Sequence, residues 1–204
     1  IEFDHKNPTR VAATGYAAIL TVVDVVSRVT IFIPVGRLTA VATACALFTR
    51  WYPMFGVPAI FRMDGDPGYT SEVMTAFSSL LGVKHRDVSA PDNPTHHSMV
   101  ERRNRVMEKF IDVGSSKGDI KASEDLDMYC AAATAACNLE YLYHGHTVME
   151  YLTGEVSCTH HDMVHPANVP DILGDINNEF LEQLCSLLLE QNNLLTILRD
   201  DDAW

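Results

Sequence analysis

The fold is decided by residues 16–35, YAAILTVVDVVSRVTIFIPV, in which two apolar runs flank a short polar segment. The runs at 16–23 and 29–35 are rich in β-branched residues, a composition typical of buried strands. Between them, Ser27 and Arg28 give the polar character of a turn. The stretch therefore predicts a β-hairpin.

The elements on either side of the hairpin extend it into a sheet. Ile1-Glu2-Phe3-Asp4 alternates apolar and acidic side chains, which predicts a half-buried strand. Residues 39–55 predict a helix, because they begin with a Thr suited to N-capping, are rich in Ala and end before Gly56. The remaining predicted elements are strands at 59–63 and 83–88 and helices at 71–81, 99–113, 124–141, 148–152 and 177–198. This order predicts an α/β fold with a five-stranded mixed sheet, three antiparallel strands followed by parallel ones, flanked by helices.

The formal net charge of −12 is unevenly distributed along the chain. Residues 1–110 carry 12 Lys and Arg against 10 Asp and Glu, whereas residues 111–204 carry 3 against 17. The first part is therefore compatible with a polyanionic partner such as DNA, which the second part would repel. No apolar run reaches the roughly 20 residues of a membrane span, so no membrane partner is expected. The five scattered cysteines, without a C-x-x-C pair, favour a reducing intracellular compartment.

Three acidic residues lie where functional groups gather in such a fold. Asp4 is on the first strand, Asp64 ends the fourth, and Glu101 is in the first turn of the helix that begins near residue 99. Converging carboxylates supply the hard oxygen ligands that Mg²⁺ and Mn²⁺ prefer. By placement alone, solvated or helix-capping acids are the alternative explanation of these residues.

Four segments resemble those of retroviral and gypsy-type retrotransposon integrases, in the same order along residues 1–158. Residues 55–64 (FGVPAIFRMD) resemble the family's FG-x-P-x-x-I-x-S-D, with Tyr69 following where the family has an aromatic residue. Residues 100–104 (VERRN), preceded by Asn93-Pro94, resemble V-E-R-x-N after H-P. The other two segments are 22–28 (VVDVVSR), similar to VVD-x-x-S-R, and 145–154 (GHTVMEYLTG), similar to TG-x-SPFELL-x-G. The 36 residues between Asp64 and Glu101 are close to the family's D,D-x(35)-E pattern.

The resemblance implies an RNase H-like polynucleotidyl transferase that processes the 3′ ends of retroelement DNA and inserts them into target DNA. Asp4, Asp64 and Glu101 would be its catalytic residues and would hold two Mg²⁺ (or Mn²⁺) ions. Asp24 is the rival for the first position; Asp4 is preferred because the family's first acid lies in the opening strand. The implied partners are retroelement DNA ends, target DNA and further copies of the chain in a homo-multimer. The implied location is the nucleus, or a virus-like particle and preintegration complex.

Residues for DNA contact are expected in the loop before Glu101 and on the helix that carries it. Glu101, Arg105 and Lys109 are four residues apart and share one helix face, where the cations suit phosphates; an exposed face with ion pairs is the alternative. Asn104 resembles the family's metal-adjacent Asn. The full expected DNA-binding set is Asn93, Thr95, His97, Asn104, Arg105 and Lys109, with His96 as a further loop candidate.

Departures from the family pattern leave a second function open. Asp66 stands where the family usually has Gly, His97-Ser98 replaces N-G, and Thr147-Val148 replaces S-P. Together with the acidic second part, they fit a catalytically inactive, domesticated integrase fold that acts as a protein-interaction scaffold. An RNase H-like nuclease without joining activity is the third alternative.

The C-terminal part is expected to be an addition to the core. We predict a catalytic core over residues 1–158 and a linker with an acidic amphipathic helical extension over 159–204, whose apolar stripe would pack on the core or contact another copy. Cys158, His160, His161 and His165 are close in sequence, but their spacing fits no common zinc site. Because the chain opens inside a predicted strand, it is expected to be part of a larger polyprotein.

Overall fold

A computed structural model describes residues 1–7, 14–64, 67–88, 98–139 and 146–154. The chain divides into two compact units, Ile1–Cys130 and Ala131–Trp204. The boundary expected after residue 158 lies outside the described residues and stays a prediction. In the part of the chain that is described, no helix is both long and apolar enough to cross a membrane.

The first unit contains the predicted five-stranded mixed sheet. Its strands are β1 (Glu2–Lys6), β2 (Ala18–Val23), β3 (Thr30–Val35), β4 (Ile60–Met63) and β5 (His85–Val88). Their order in the sheet is β3-β2-β1-β4-β5. The first three strands pair antiparallel, whereas β1 with β4 and β4 with β5 pair parallel. The α/β architecture predicted from the sequence is therefore confirmed.

The helices largely follow the predicted order. They are α1 (Ala40–Ala46), a π-helical turn (Leu47–Trp51), α2 (Tyr52–Phe55), α3 (Pro67–Thr70), α4 (Glu72–Leu81), α5 (Ser98–Lys117), α6 (Ser123–Asn138) and α7 (Val148–Thr153). Thr39 caps the N-terminus of α1, and Gly56, at a φ of 74°, ends α2. The single helix expected over 39–55 is thus interrupted by a π-helical turn whose first and last residues are buried.

Helix α5 is longer than its sequence pattern predicts. Its expected end at residue 113 precedes Gly114, yet the helix continues to Lys117 and ends before Gly118, which has a φ of 73°. Gly114 is needed within the helix because a Cβ atom there would lie 2.6 Å from the ring of Tyr129. This glycine therefore serves close packing and not helix termination.

Strand β1 is covered on both faces, which corrects the expectation of a half-buried strand. Phe3 packs edge-to-face on Phe61 and Tyr69, with ring centroids 5.5 and 5.4 Å apart. On the opposite face, Glu2 is only 1% exposed. The alternation of apolar and acidic residues therefore separates two buried environments, an apolar one and a polar one against α5.

Candidate catalytic site

Helix α5 lies along strand β1 and contacts every second residue of it. Glu2, Asp4 and Lys6 share one face of the strand because side chains alternate along it. The three contacts are Glu2 Oε1 with the backbone N–H of Val100 (3.2 Å), Asp4 Oδ2 with Asn104 Nδ2 (3.4 Å) and Lys6 Nζ with Glu108 Oε1 (2.8 Å). Two residues of strand and four of helix both advance roughly 6 Å, so strand and helix stay in step.

The buried Glu2 carboxylate holds the start of α5. The N–H groups of the first helical turn have no partner within the helix and carry partial positive charge. Glu2 accepts one of them, from Val100, which is itself fully buried. This contact fixes the backbone next to Glu101 relative to the strand that carries Asp4.

The half-buried Asp4 is joined to α5 through a chain of hydrogen bonds. Asn104, 4% exposed, donates from Nδ2 to Asp4 and accepts at Oδ1 from the hydroxyl of Thr21 at 2.5 Å. Thr21 is fully buried on β2, directly opposite Asp4 in the antiparallel register. Because the Asp4 carboxylate can only accept hydrogen bonds, the NH₂ group of Asn104 must be the side that faces it. The Thr21 hydroxyl then donates to the Asn104 amide oxygen. Asn104 is thereby fixed with its donor toward Asp4.

Asp64 directly follows β4, at the point where the register of β4 with β1 predicts a partner for Asp4. The two strands are parallel neighbours, and Glu2 pairs with Arg62. Two residues further along each chain come Asp4 and Asp64, the latter directly after the last residue of β4. Neighbouring strands are about 4.8 Å apart, and residues two apart share a face. Continued by two residues, this register predicts neighbouring positions for the two aspartates at the same level of the sheet; Asp64 is exposed.

Glu101 is exposed and lies one turn before Asn104 on α5. Residues three apart on a helix are neighbours, so Glu101 projects from the same side of α5 that reaches Asp4. Arg105 and Lys109 are exposed as well, in agreement with the expected polar stripe. Asn104, in contrast, is buried and hydrogen-bonded to Asp4 and Thr21, which suits a residue that positions Asp4; the DNA contact expected for it stays a prediction.

The convergence of the three acids on one metal site stays a prediction. Among the described residues, no group of three His, Cys, Asp or Glu side chains is close enough to hold a metal ion. The recognisable links are the pairing of β1 with β4 at Glu2 and Arg62, and the hydrogen bond from Asn104, one helical turn after Glu101, to Asp4.

The rival Asp24 lies in the hairpin turn. Its Oδ2 accepts from the backbone N–H of Ser27 at 2.8 Å and from the Ser27 hydroxyl at 2.6 Å. Arg28, which follows, has a φ of 68° and donates its N–H to the Asp24 carbonyl. These bonds fit Asp24 as a turn-capping acid beside Ser27.

Several expected features fall outside the described residues. They are the loop candidates Asn93, Thr95, His96 and His97, the additional acid Asp66, and the cluster of Cys158 with its neighbouring histidines. Of the other departures, Thr147 has a structural explanation, because it forms a reciprocal capping box with Glu150 at the start of α7.

Sequence reasoning missed Glu2 and Thr21 as parts of this site. Glu2 carries a signal in retrospect, since an acid two residues from Asp4 on a strand must share its face. Thr21 carries none, because its hydroxyl donates to Asn104, which is distant in sequence, and its residue type is common in buried strands.

The known proteins to which the chain is similar include retroviral polyproteins and retroviral integrases. No protein-family model matches the chain. Over 97 residues, 48% of its length, the chain is 27% identical to the Gag-Pol polyprotein of feline leukemia virus and 28% identical to the Pol polyprotein of radiation murine leukemia virus (strain Kaplan). These matches span only 6% and 16% of the two polyproteins.

Solved structures show the same fold. The catalytic core domain of BIV integrase matches with a TM-score of 0.58 and 18% identity, over 74% of this chain and 90% of that one. A chain of the simian T-cell lymphotropic virus intasome, solved in complex with PP2A regulatory subunit B56 gamma, matches with a TM-score of 0.60 and 20% identity, over 73% of this chain and 52% of that one. The resemblance to retroviral integrases is therefore confirmed, and the fold is the RNase H-like fold of their catalytic cores.

Proposed function

We propose that the chain is a retroelement integrase core, a metal-dependent polynucleotidyl transferase that trims DNA 3′ ends and joins them to target DNA. The observation that carries the proposal is the parallel pairing of β1 with β4 at Glu2 and Arg62, the residues two positions before Asp4 and Asp64. Glu101 completes the set, because its helix is held to β1 at Val100 and Asn104.

The donor set suits a hard divalent cation. Asp4, Asp64 and Glu101 offer carboxylate oxygens, which Mg²⁺ and Mn²⁺ prefer, and the exposed Asp64 and Glu101 are open to solvent and DNA. Two such ions, when bound, activate an attacking oxygen and stabilise the leaving one in phosphodiester chemistry. The protein's own part is to orient the carboxylates: Asn104 holds Asp4, and Glu2 holds the first turn of α5.

The proposed partners follow from the same assignment. Retroelement DNA ends and target DNA would meet the exposed Arg105 and Lys109 beside Glu101, where cations can neutralise phosphates. We further propose that the chain works as a homo-multimer in the nucleus or in a preintegration complex.

The proposal is tested by cleavage of supercoiled plasmid in Mn²⁺ or Mg²⁺, which needs no knowledge of the element's terminal sequence. Asp64→Asn and Glu101→Gln should each lower nicking by about a hundredfold or more, because each removes an anionic metal ligand. Glu108→Gln is the matched control on α5. Glu108 pairs with Lys6 at the surface, so this variant should leave nicking unchanged. Asp24→Asn tests whether Asp24, instead of Asp4, is the first acid. Asparagine retains a turn-capping oxygen, so this substitution removes the charge of the carboxylate and keeps the turn.

A catalytically inactive scaffold is the second candidate. It is favoured by the departures from the family pattern at Asp66 and His97-Ser98 and by the acidic second part of the chain. This candidate predicts plasmid nicking that is no higher than that of the Asp64→Asn variant. Binding of Mn²⁺ in proportion to the protein, lost in Asp64→Asn, would argue against it.

A further inference from the structure

A buried polar chain lies on the face of β1 opposite Asp4. His5 is between two hydroxyls: its Nδ1 is 2.6 Å from Tyr69 Oη, and its Nε2 is 3.2 Å from Thr43 Oγ1. The rings of His5 and Tyr69 stack, with centroids 5.3 Å apart and an angle of 11° between their planes. Tyr69 is 3% exposed and Thr43 fully buried, so these bonds are shielded from solvent.

The direction of the hydrogen bonds follows from the last member of the chain. The Thr43 hydroxyl donates to the backbone carbonyl of Thr39 at 3.1 Å, so it accepts from His5. His5 then carries its proton on Nε2, and its Nδ1 accepts from the Tyr69 hydroxyl. The arrangement fixes the ring orientation of His5 from both sides.

Two members of this hydrogen-bonded group follow the two aspartates in the sequence. His5 directly follows Asp4, and Tyr69 lies five residues after Asp64 on α3. Tyr69 is held a second time, because Arg86 on β5 donates to its backbone carbonyl at 2.7 Å. The bond between His5 and Tyr69 therefore closes a link between the segments that follow the two acids.

We propose that His5 and Tyr69 are positioning residues that hold the segment following Asp64 against the strand that carries Asp4. The effect of this link on metal affinity rests on the proposed function. The link itself, the hydrogen bond that joins His5 to Tyr69, does not. Neither side chain touches the reacting atoms; each acts through the backbone on which an acid is mounted. Small displacements of metal ligands matter because Mg²⁺ demands near-ideal octahedral geometry.

The mechanical link is tested by hydrogen–deuterium exchange in metal-free protein, using peptides that cover residues 64–75. Tyr69→Phe removes the hydroxyl and keeps the ring between Phe3 and His5, and it should speed exchange there about fivefold. Tyr129→Phe is the matched control, because it also removes a hydroxyl that donates a hydrogen bond, to Asp119 at 3.2 Å. It should leave exchange over residues 64–75 unchanged. Equal exchange in Tyr69→Phe and the unsubstituted protein overturns the inference, whatever metal binding shows.

Metal affinity gives a readout that a merely structural bond would not change. Mn²⁺ titration, followed by electron paramagnetic resonance of the free ion, should show affinity lowered about fivefold by Tyr69→Phe and unchanged by Tyr129→Phe. Plasmid nicking by Tyr69→Phe should fall further in Mg²⁺ than in Mn²⁺, since Mg²⁺ is the stricter ion.

Substitution of His5 tests the partnership. His5→Asn keeps an oxygen near the Nδ1 position and should preserve the effect of Tyr69→Phe on exchange, whereas in a His5→Ala background Tyr69→Phe should add nothing. Additive effects in the His5→Ala background would overturn the pairing. If Asp64→Asn leaves Mn²⁺ binding unchanged, the proposed function falls, and the exchange experiment still decides the inference.

Discussion

The buried carboxylate of Glu2 gives the most specific stability prediction, through two substitutions at one position. Glu2→Ala removes the acceptor for the Val100 N–H, and Glu2→Gln keeps an oxygen there without the charge. Because Glu2 is 1% exposed and Val100 fully buried, water cannot replace the lost acceptor. The two variants therefore separate the hydrogen bond from the charge.

The magnitudes follow from the contact. A charged hydrogen bond with a buried donor left unpaired accounts for about 2 kcal/mol, and loss of the buried methylenes adds about 1 kcal/mol, so Glu2→Ala should cost about 3 kcal/mol. Glu2→Gln loses mainly the attraction to the positive end of α5 and should cost about 1 kcal/mol. Both losses are an appreciable fraction of the net free energy of unfolding of a domain, which is about 5–15 kcal/mol.

Urea unfolding followed by circular dichroism measures these differences. Exchange of the α5 amides near residue 100 provides the local check and should rise more in Glu2→Ala than in Glu2→Gln. Glu2→Ala within about 0.5 kcal/mol of the unsubstituted protein would refute the reasoning, because a surface substitution behaves that way. Equal losses in both variants would instead assign the effect to charge alone.

Three further predictions concern other parts of the fold. Gly114→Ala should destabilise the chain by about 2 kcal/mol in urea unfolding, because the new Cβ would meet the Tyr129 ring at 2.6 Å; an unchanged midpoint would contradict this packing. Thr147→Ala should raise amide exchange in the first turn of α7, since the capping box is worth about 1 kcal/mol; the prediction fails if protection there is unchanged. Iodoacetamide should modify the exposed Cys45 and spare Cys130 in the native protein, because burial raises the pKa of the Cys130 thiol; equal labelling at pH 8 would argue against this.

The sheet could be predicted because its strands carry local signals. The hairpin at 16–35 has two apolar runs and a polar turn, and the structure places β2 and β3 there with Asp24 capping the turn. The parallel pairing of β4 and β5 followed from their alternation with helices. Such signals lie within a few residues of the element that they predict.

The environment of β1 could not be predicted in this way. The alternation in Ile1-Glu2-Phe3-Asp4 indicates two different faces, but what covers the polar face is α5, nearly a hundred residues away. The buried state of Glu2 therefore depends on a contact between distant segments. The link from His5 to Tyr69 has the same origin, because its two members lie 64 positions apart in the sequence.

The candidate acids show both what the sequence could predict and what it could not. Asp64 and Glu101 could be singled out by family resemblance, and the preference for Asp4 over Asp24 rested on strand position. The parallel pairing of Glu2 with Arg62, two positions before Asp4 and Asp64 respectively, is information that only the folded chain contains. The orientation of Asn104 toward Asp4 likewise depends on Thr21, a residue without a distinctive sequence signal.

Crystals soaked in Mn²⁺, with anomalous scattering recorded near the manganese edge, would locate the ion without reference to activity. We expect a difference peak within bonding distance of carboxylate oxygens from both Asp4 and Asp64, lost in crystals of Asp64→Asn. A peak at Asp24, or none between β1 and β4 at saturating Mn²⁺, would show that these two aspartates do not share a metal.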